Sequence, residues 1–364
     1  MTRPTPIRLA LVATCAGLLL PAPASAGWVV PGRGYGDGVG MSQYGAYGLA
    51  QEGRTYRQIM RHYFTGVELE RVENQRIRVL LTSGVGSIPF SGAKQACGKQ
   101  IHASRTYAFG LSASGVELRR AGGSRIKGCG QEGAAAGGDS VLWKENGRYR
   151  GKLVGRDVGG SLYVINDVAL ESYIGGVIPG EMSTSWSVEA LRAQAVAARS
   201  YGLATRIAGN GYDLYDDTRS QVYGGMRVET QATDDAIDAT RREVITAGDK
   251  VAEAFFFSTS GGQTENSEFV YMEPRSYLKS VNDPFDGISP FHRWQVRFTN
   301  AEMESRLGPY FAGRLQKIKI LQTGISPRIV RARVVGSSDS SVVSGNSLRY
   351  ALGLRSTWAR FVKR

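Results

Sequence analysis

Along the 364 residues the spacing of hydrophobic and polar positions changes several times, and each change predicts a different kind of element. Residues 27–66 open with glycines at every second position from Gly32 to Gly40, too closely alternated for GxGxxG and with no GK[ST] after them, so a turning, close-packed backbone is expected rather than a nucleotide loop. A short helix over residues 42–52, closed by Gly53, comes next. Thr55 and Gln58 then form the capping box of a second helix, with Tyr56, Tyr63 and Phe64 as core candidates. Residues 71–165 switch to short runs (RIRVLLT, KQIHASRTYAF, SVLWKE, RYRGKLVG, SLYVIN) separated by Gly, Asn and Asp, which predicts antiparallel strands with a hairpin at Asn146-Gly147. The Ala/Gly stretch 130–139 reads as a surface loop.

A helical stretch opens at Asp167 and is expected to stop at Pro179-Gly180, leaving Glu181 in the turn. The next helix starts at Ser185 or Ser187, with Glu189 in its first turn, where the helix dipole favours a carboxylate. Val188, Leu191, Ala195 and Ala198 mark its buried face, and Ala190, Ala193 and Ala197 keep the rest thin. A carboxyl fixed between Met182 and Trp186 loses hydration, which raises its pKa and suits it to general acid work; an ordinary solvated loop glutamate is the alternative.

Beyond residue 211, Asp216 and Asp217 form either a carboxylate pair or a polar turn. Residues 230–242 read as a helix with Ala232, Ala236 and Ala239 inward. A hairpin pattern comes after it, and the apolar strand 252–257 delivers Ser258, Thr259, Ser260, Gly261 and Gly262 at its end, a common place for site residues. Further β-rich segments precede a polar turn at 337–347 and a final short helix. Helices inserted among antiparallel strands make the expected class α+β, divided into 27–66, a β-rich part 71–165, a core 166–300 and a β-rich segment 301–364.

Composition adds a compartment. Arg3 and Arg8 precede an apolar run at 9–20 and end in Ala24-Ser25-Ala26, the form of a cleaved export signal over residues 1–26; a retained anchor is the alternative. No later run approaches about 20 continuous apolar residues, so no transmembrane anchor is expected after signal removal. The formal charge of +13 falls by only two with the signal. Outside a cell that charge favours acidic envelope polymers over nucleic acid. With Cys15 lost, Cys97 and Cys129 are expected to pair as a disulfide in an oxidising compartment. No CxxC, HExxH or GxSxG is present, and three scattered histidines offer no ligand set, so neither a metal nor a serine or cysteine nucleophile is expected.

The segment YIGGVIPGEMSTSW with EALRAQAVAARSY, between Asn166 and Tyr201, resembles the SpoIID/LytB family of bacterial cell-wall proteins. SQVYGG (220–225), FSTSGGQTENSE (257–268), YLKSVNDP (277–284) and SGNSLRYALGLRSTW (344–358) continue in the family's order. The N-terminal GDGVGMSQYGA is similar to the family's GHGVGMSQYGA element, with Asp37 where the family usually has His. The resemblance implies a secreted or wall-associated lytic transglycosylase acting on peptidoglycan glycan strands, with Glu181 as its glutamate and no cofactor. A single carboxyl suffices there because the sugar's own C6 hydroxyl attacks the anomeric carbon, whereas hydrolytic glycosidases generally use two. It places Gln194, Arg199, Gln221 and Tyr223 as substrate contacts on one side and Ser258, Ser260, Gly261 and Gly262 on the other, each with a fold-stabilising hydrogen bond as the alternative. Some sporulation members bind zinc through Cys and His, and the STSGG segment contains neither. LytB-type relatives imply another role, a noncatalytic wall-binding enhancer of a cell-wall amidase.

Overall fold

The computed structural model describes residues 27–143 and 147–364. The expected export signal and Asn146 of the expected hairpin turn lie outside the described residues; the strands flanking that turn do pair antiparallel, with Trp143 opposite Gly147. The architecture is α+β.

Two sheets fill the region after residue 75. A seven-stranded sheet is centred on Arg76–Val85, Ser161–Ala169 and Lys152–Val158, paired antiparallel, with the short Leu214–Tyr215 added parallel at one edge. A six-stranded antiparallel sheet runs from Arg125–Gly130 to Gly147–Tyr149. Ile77, Val79, Leu153 and Val164 from the first sheet and Ile88, Phe109 and Leu118 from the second share one buried cluster. The disulfide forms as expected: Cys97 and Cys129, 5.4 Å apart at Cα, tie the turn after Gln95–Ala96 in one sheet to Arg125–Gly130 in the other.

The stretch 130–139 is not a loop. Glu132–Ala136 is an interior strand, paired on both sides. Its small residues are a packing requirement, since a Cβ on Gly133 would stand 2.9 Å from the Phe109 ring and 3.0 Å from the Cys97 sulfur.

Four helices gather around a fifth: α1 (Gln43–Gln51), α2 (Tyr56–Tyr63), α3 (Leu170–Glu181) and α5 (Gln231–Ala239) all touch α4 (Val188–Ala204). The capping box of α2 is present with both of its bonds. Helix α4 is the keystone, because Leu191, Ala195 and Ala198 join the sheet cluster while Ala193, Val196 and Ala197 join a second cluster with α1, α2 and Leu278. Alanine on both faces lets neighbouring backbone approach, which is why no single apolar stripe describes it. Val188, expected inside, is 46% exposed, since Ser187 is the N-cap and Val188 sits on the open first turn. Helix α5 buries Thr233, Ala236 and Ile237; Ala232 and Ala239 face out, so the expected stripe was displaced by one residue.

The first strand, Gly27–Arg33, pairs along its full length with Arg293–Thr299, and Trp28 and Val30 enter a third core with the C-terminal sheet. The expected polar turn at 337–347 contains the strand Asp339–Ser344. Only Val343 of that strand is buried, which leaves its sequence as polar as a turn's. The early glycines turn as expected. Gly34 and Gly40 have φ of 74° and 83°, and a Cβ there would lie 2.7 Å from the Thr259 carbonyl oxygen and 2.1 Å from that of Phe255. That run therefore lies directly against the segment leading into STSGG. No helix among the described residues is long and apolar enough to cross a membrane.

Candidate active site

Helix α3 does not stop at Pro179. It continues through Pro179-Gly180 and ends on Glu181, with the Met182 N–H donating to the Ile178 carbonyl at 2.9 Å. Proline removes one helical hydrogen bond, but Tyr173 through Ile178 are fully buried and hold the last turn in place. Glu181 is thus the final residue of a helix rather than a turn residue. The carbonyl end of a helix is its negative pole and disfavours a carboxylate there.

The carboxyl of Glu181 is pushed above the ordinary glutamate range, first by burial. Two weaker influences oppose that shift. The Val222 N–H donates to Oε1 at 3.4 Å, and the amide of Gln43 favours the ionised form, although Gln43 Nε2 has no hydrogen bond of ordinary geometry among the described residues. No ion pair engages Glu181 among the described residues. Burial with no ion-pair partner among the described residues thus favours the protonated form relative to an ordinary glutamate.

Val222 reaches the carboxyl because α3 carries glycines where the SQVY segment crosses it. A Cβ on Gly176 would lie 2.4 Å from the Tyr223 ring, whereas one on Gly180 would meet the Val222 side chain at an ordinary 3.6 Å. Gln43 arrives from the N-terminal element: Ser42 caps α1 by accepting from the Gly45 N–H, and Gln43 is the first residue inside. The same helix supplies Tyr44 and Tyr47, which enclose Trp186, the former edge-on at 4.7 Å and the latter stacked at 4.6 Å. Tyr201, its phenol raised chiefly by burial, feels the charges of both Glu181 and Asp37. Asp37 accepts from the Val39 N–H at 3.0 Å and from the Tyr271 hydroxyl.

The expected contact residues divide. Gln194 is fully buried with neither end of its amide partnered among the described residues; seven residues before Tyr201, it shares that residue's face of α4. Gln221 accepts from the Tyr173 hydroxyl at 3.0 Å and has an unpartnered Nε2. An unpaired buried amide costs about 1–3 kcal/mol, and both glutamines lie almost wholly beneath the surface. Arg199 and Tyr223 are committed to the fold. Arg199 is fully buried, pairs with Glu171 at 2.8 Å and donates to the Glu243 carbonyl at 2.8 Å. The Tyr223 hydroxyl donates to Asn166 at 2.7 Å.

Ser260, Gly261 and Gly262 form a fixed loop. Asp286, fully buried, accepts from the Ser260 hydroxyl at 3.0 Å and the Gly261 N–H at 2.6 Å, and its other oxygen meets His292 Nδ1 at 2.7 Å. The Gly262 N–H donates to Ser260 Oγ at 3.0 Å, and Ser258 Oγ lies 3.1 Å from that of Thr259. The Ser260 N–H donates to Ser42 Oγ at 3.2 Å, joining this loop to the base of α1. Beneath it Asp283, raised to about 6 mainly by burial, accepts from the Tyr63 hydroxyl at 3.0 Å. Asp217 is an exposed turn residue held by Arg219 at 2.8 Å. Reasoning from sequence singled out the motif containing Gln43 but gave no role to Gln43, Tyr44 or Tyr47. It did not single out Asp286 or Tyr201.

Comparison with known proteins bears on this arrangement. Residues 158–246, which include Glu181, Gln194 and Gln221, match the SpoIID family model, described as Stage II sporulation protein. Over 218 residues the chain is 34% identical to Stage II sporulation protein D of Bacillus subtilis (strain 168), covering 54% of this chain and 62% of that protein. It is 31% identical over 220 residues to the protein of the same name from Bacillus amyloliquefaciens, covering 55% of this chain and 63% of that relative. It is also 34% identical over 131 residues to the Amidase enhancer of Bacillus subtilis (strain 168), covering 36% of this chain and 17% of that protein. The chain therefore spans somewhat less than two thirds of the sporulation relatives it matches. The α3–α4 segment, the SQVY crossing and Glu181 all lie inside the region, residues 158–246, that is similar to the SpoIID family.

Proposed function

We propose that the protein is an exported lytic transglycosylase that cuts glycan strands of peptidoglycan, with Glu181 as its general acid and then its base. The observation that carries this reading is a half-buried carboxyl, raised in pKa by desolvation, at the negative end of α3 with no ion-pair partner among the described residues. In the first step Glu181 gives its proton to the glycosidic oxygen as the C1–O bond breaks and positive charge develops at the anomeric carbon. The resulting carboxylate, stabilised by the Val222 N–H and the Gln43 amide, then takes the proton of the sugar's C6 hydroxyl. That oxygen bonds to C1 and closes a 1,6-anhydro ring.

A second reading has an observation of its own. The likeness to an amidase enhancer, together with Asp37 at the family's His position, fits a wall-binding protein that assists a partner amidase without cutting strands. Mass spectrometry of glycan strands, with and without stem peptides, incubated with the protein or its Glu181→Gln variant separates the two. The lytic reading expects anhydro-ended fragments that vanish in the variant. Strand binding without cleavage in either protein would overturn it in favour of the enhancer.

A further inference from the structure

Away from Glu181, a cleft of about 610 Å³ opens where the first strand meets the C-terminal tail. Arg33, Arg293 and Arg360 line it together with Trp294, Trp358 and Thr323, and no acidic residue does. None of the three arginines is in an ion pair among the described residues. Three like charges around one cavity repel one another, so their convergence is a cost that an anion relieves.

The indoles are held in place. Trp294 donates its ring N–H to the Gly34 carbonyl at 2.8 Å, and its ring lies so close over Gly32 that a Cβ there would meet it at 2.2 Å. Trp358 ends the LRSTW tail and has the guanidinium groups of Arg33 and Arg328 over it, each 5.4 Å from the ring centre. Arg328 is fully buried and ties that region to the STSGG loop by donating to the Ser260 carbonyl at 2.6 Å.

From this geometry we infer a second binding site, for an anionic saccharide. The Trp294 indole offers a flat apolar surface to the C–H face of a sugar, and guanidinium forks match a carboxylate or phosphate in two-point contact. The volume suits a disaccharide. A nucleotide fits less well, because no Asn, Gln, Asp or Glu lines the cleft to read a base edge. The site is independent of any reaction at Glu181.

The test tracks the indole N–H signals of Trp294 and Trp358 by NMR, assigned with Trp358→Phe, during titration at low salt. The probes are N-acetylglucosaminyl-N-acetylmuramic acid, N-acetylglucosamine 1-phosphate, neutral di-N-acetylchitobiose and adenosine monophosphate. Arg293 and Arg360 are exposed, so Arg293→Gln/Arg360→Gln retains the fold. At least one anionic sugar is expected to shift these signals, with Kd weakened tenfold or more (about 1.4 kcal/mol) in the double variant and unchanged in Glu181→Gln. The tighter of the two anionic sugars identifies the carboxylate or the phosphate as the recognised group. Equal binding of chitobiose, tighter binding of the nucleotide, or indifference to the double substitution would each overturn the inference.

Discussion

Glu181 and Glu243 are both withdrawn from water, and the protein treats them in opposite ways. Glu243 accepts from the Tyr56 hydroxyl at 2.8 Å, from Arg57 at 2.7 Å and from Arg71 at 3.5 Å, while its own carbonyl anchors Arg199. Each carboxylate oxygen is answered by a donor, and the charge is neutralised. Glu181 has one amide at 3.4 Å, no ion-pair partner among the described residues and the negative end of a helix behind it. A buried carboxylate that is fully compensated holds a fold together; one left uncompensated stores a proton. Geometry of partners, rather than burial alone, separates the two carboxyls.

The strongest way to break this contrast is to remove the proton carrier. Glu181→Gln keeps the shape and is expected to lower strand cleavage by about 10²–10⁴-fold, measured as release of anhydro-ended fragments, if Glu181 is the general acid. On the compensated side, Arg199→Leu strands Glu171 and the Glu243 carbonyl in the interior. Urea unfolding should register a loss of about 3–5 kcal/mol, while strand binding per folded molecule stays unchanged, which would set Arg199 apart from the substrate contacts. Away from both acids, Cys97→Ser/Cys129→Ser should cost about 2–4 kcal/mol in the same measurement and leave cleavage per folded molecule intact.

A smaller effect sharpens the contrast further. Because folding raises the pKa of Glu181, its contribution to stability is fully present below the unfolded value, about 4.3, and is lost as pH rises through the folded value. Thermal unfolding of Glu181→Gln should therefore come closest to the parent in acid and gain on it as pH rises towards neutrality. A variant that loses ground on the parent as pH rises would mean that the carboxylate is stabilised after all.

The periodic parts of this chain were legible where one face is apolar. The capping box at Thr55 and the paired strands around residues 76–169 come from local rules, and the pairing of Cys97 with Cys129 from cysteine count and compartment. Reading failed where small residues serve close packing rather than flexibility: the strand Glu132–Ala136 looked like a loop for that reason. Pro179-Gly180 looked like a stop, yet long-range burial of Tyr173 through Ile178 outweighed the single hydrogen bond lost to proline. Within the candidate site, Glu181 stood out by motif. Its neighbours did not, because Gln43 comes from 138 positions upstream and Asp286 acts through the STSGG loop. No local pattern encodes a contact made only in the folded chain.

The central claim is that the Glu181 carboxyl is protonated more readily than an ordinary glutamate. A ¹³C NMR titration of glutamate side-chain carboxyls, with Glu181 assigned from the signal missing in Glu181→Gln, measures this directly. The predicted midpoint lies above the usual value of about 4.3. A midpoint at or below that value would contradict the claim.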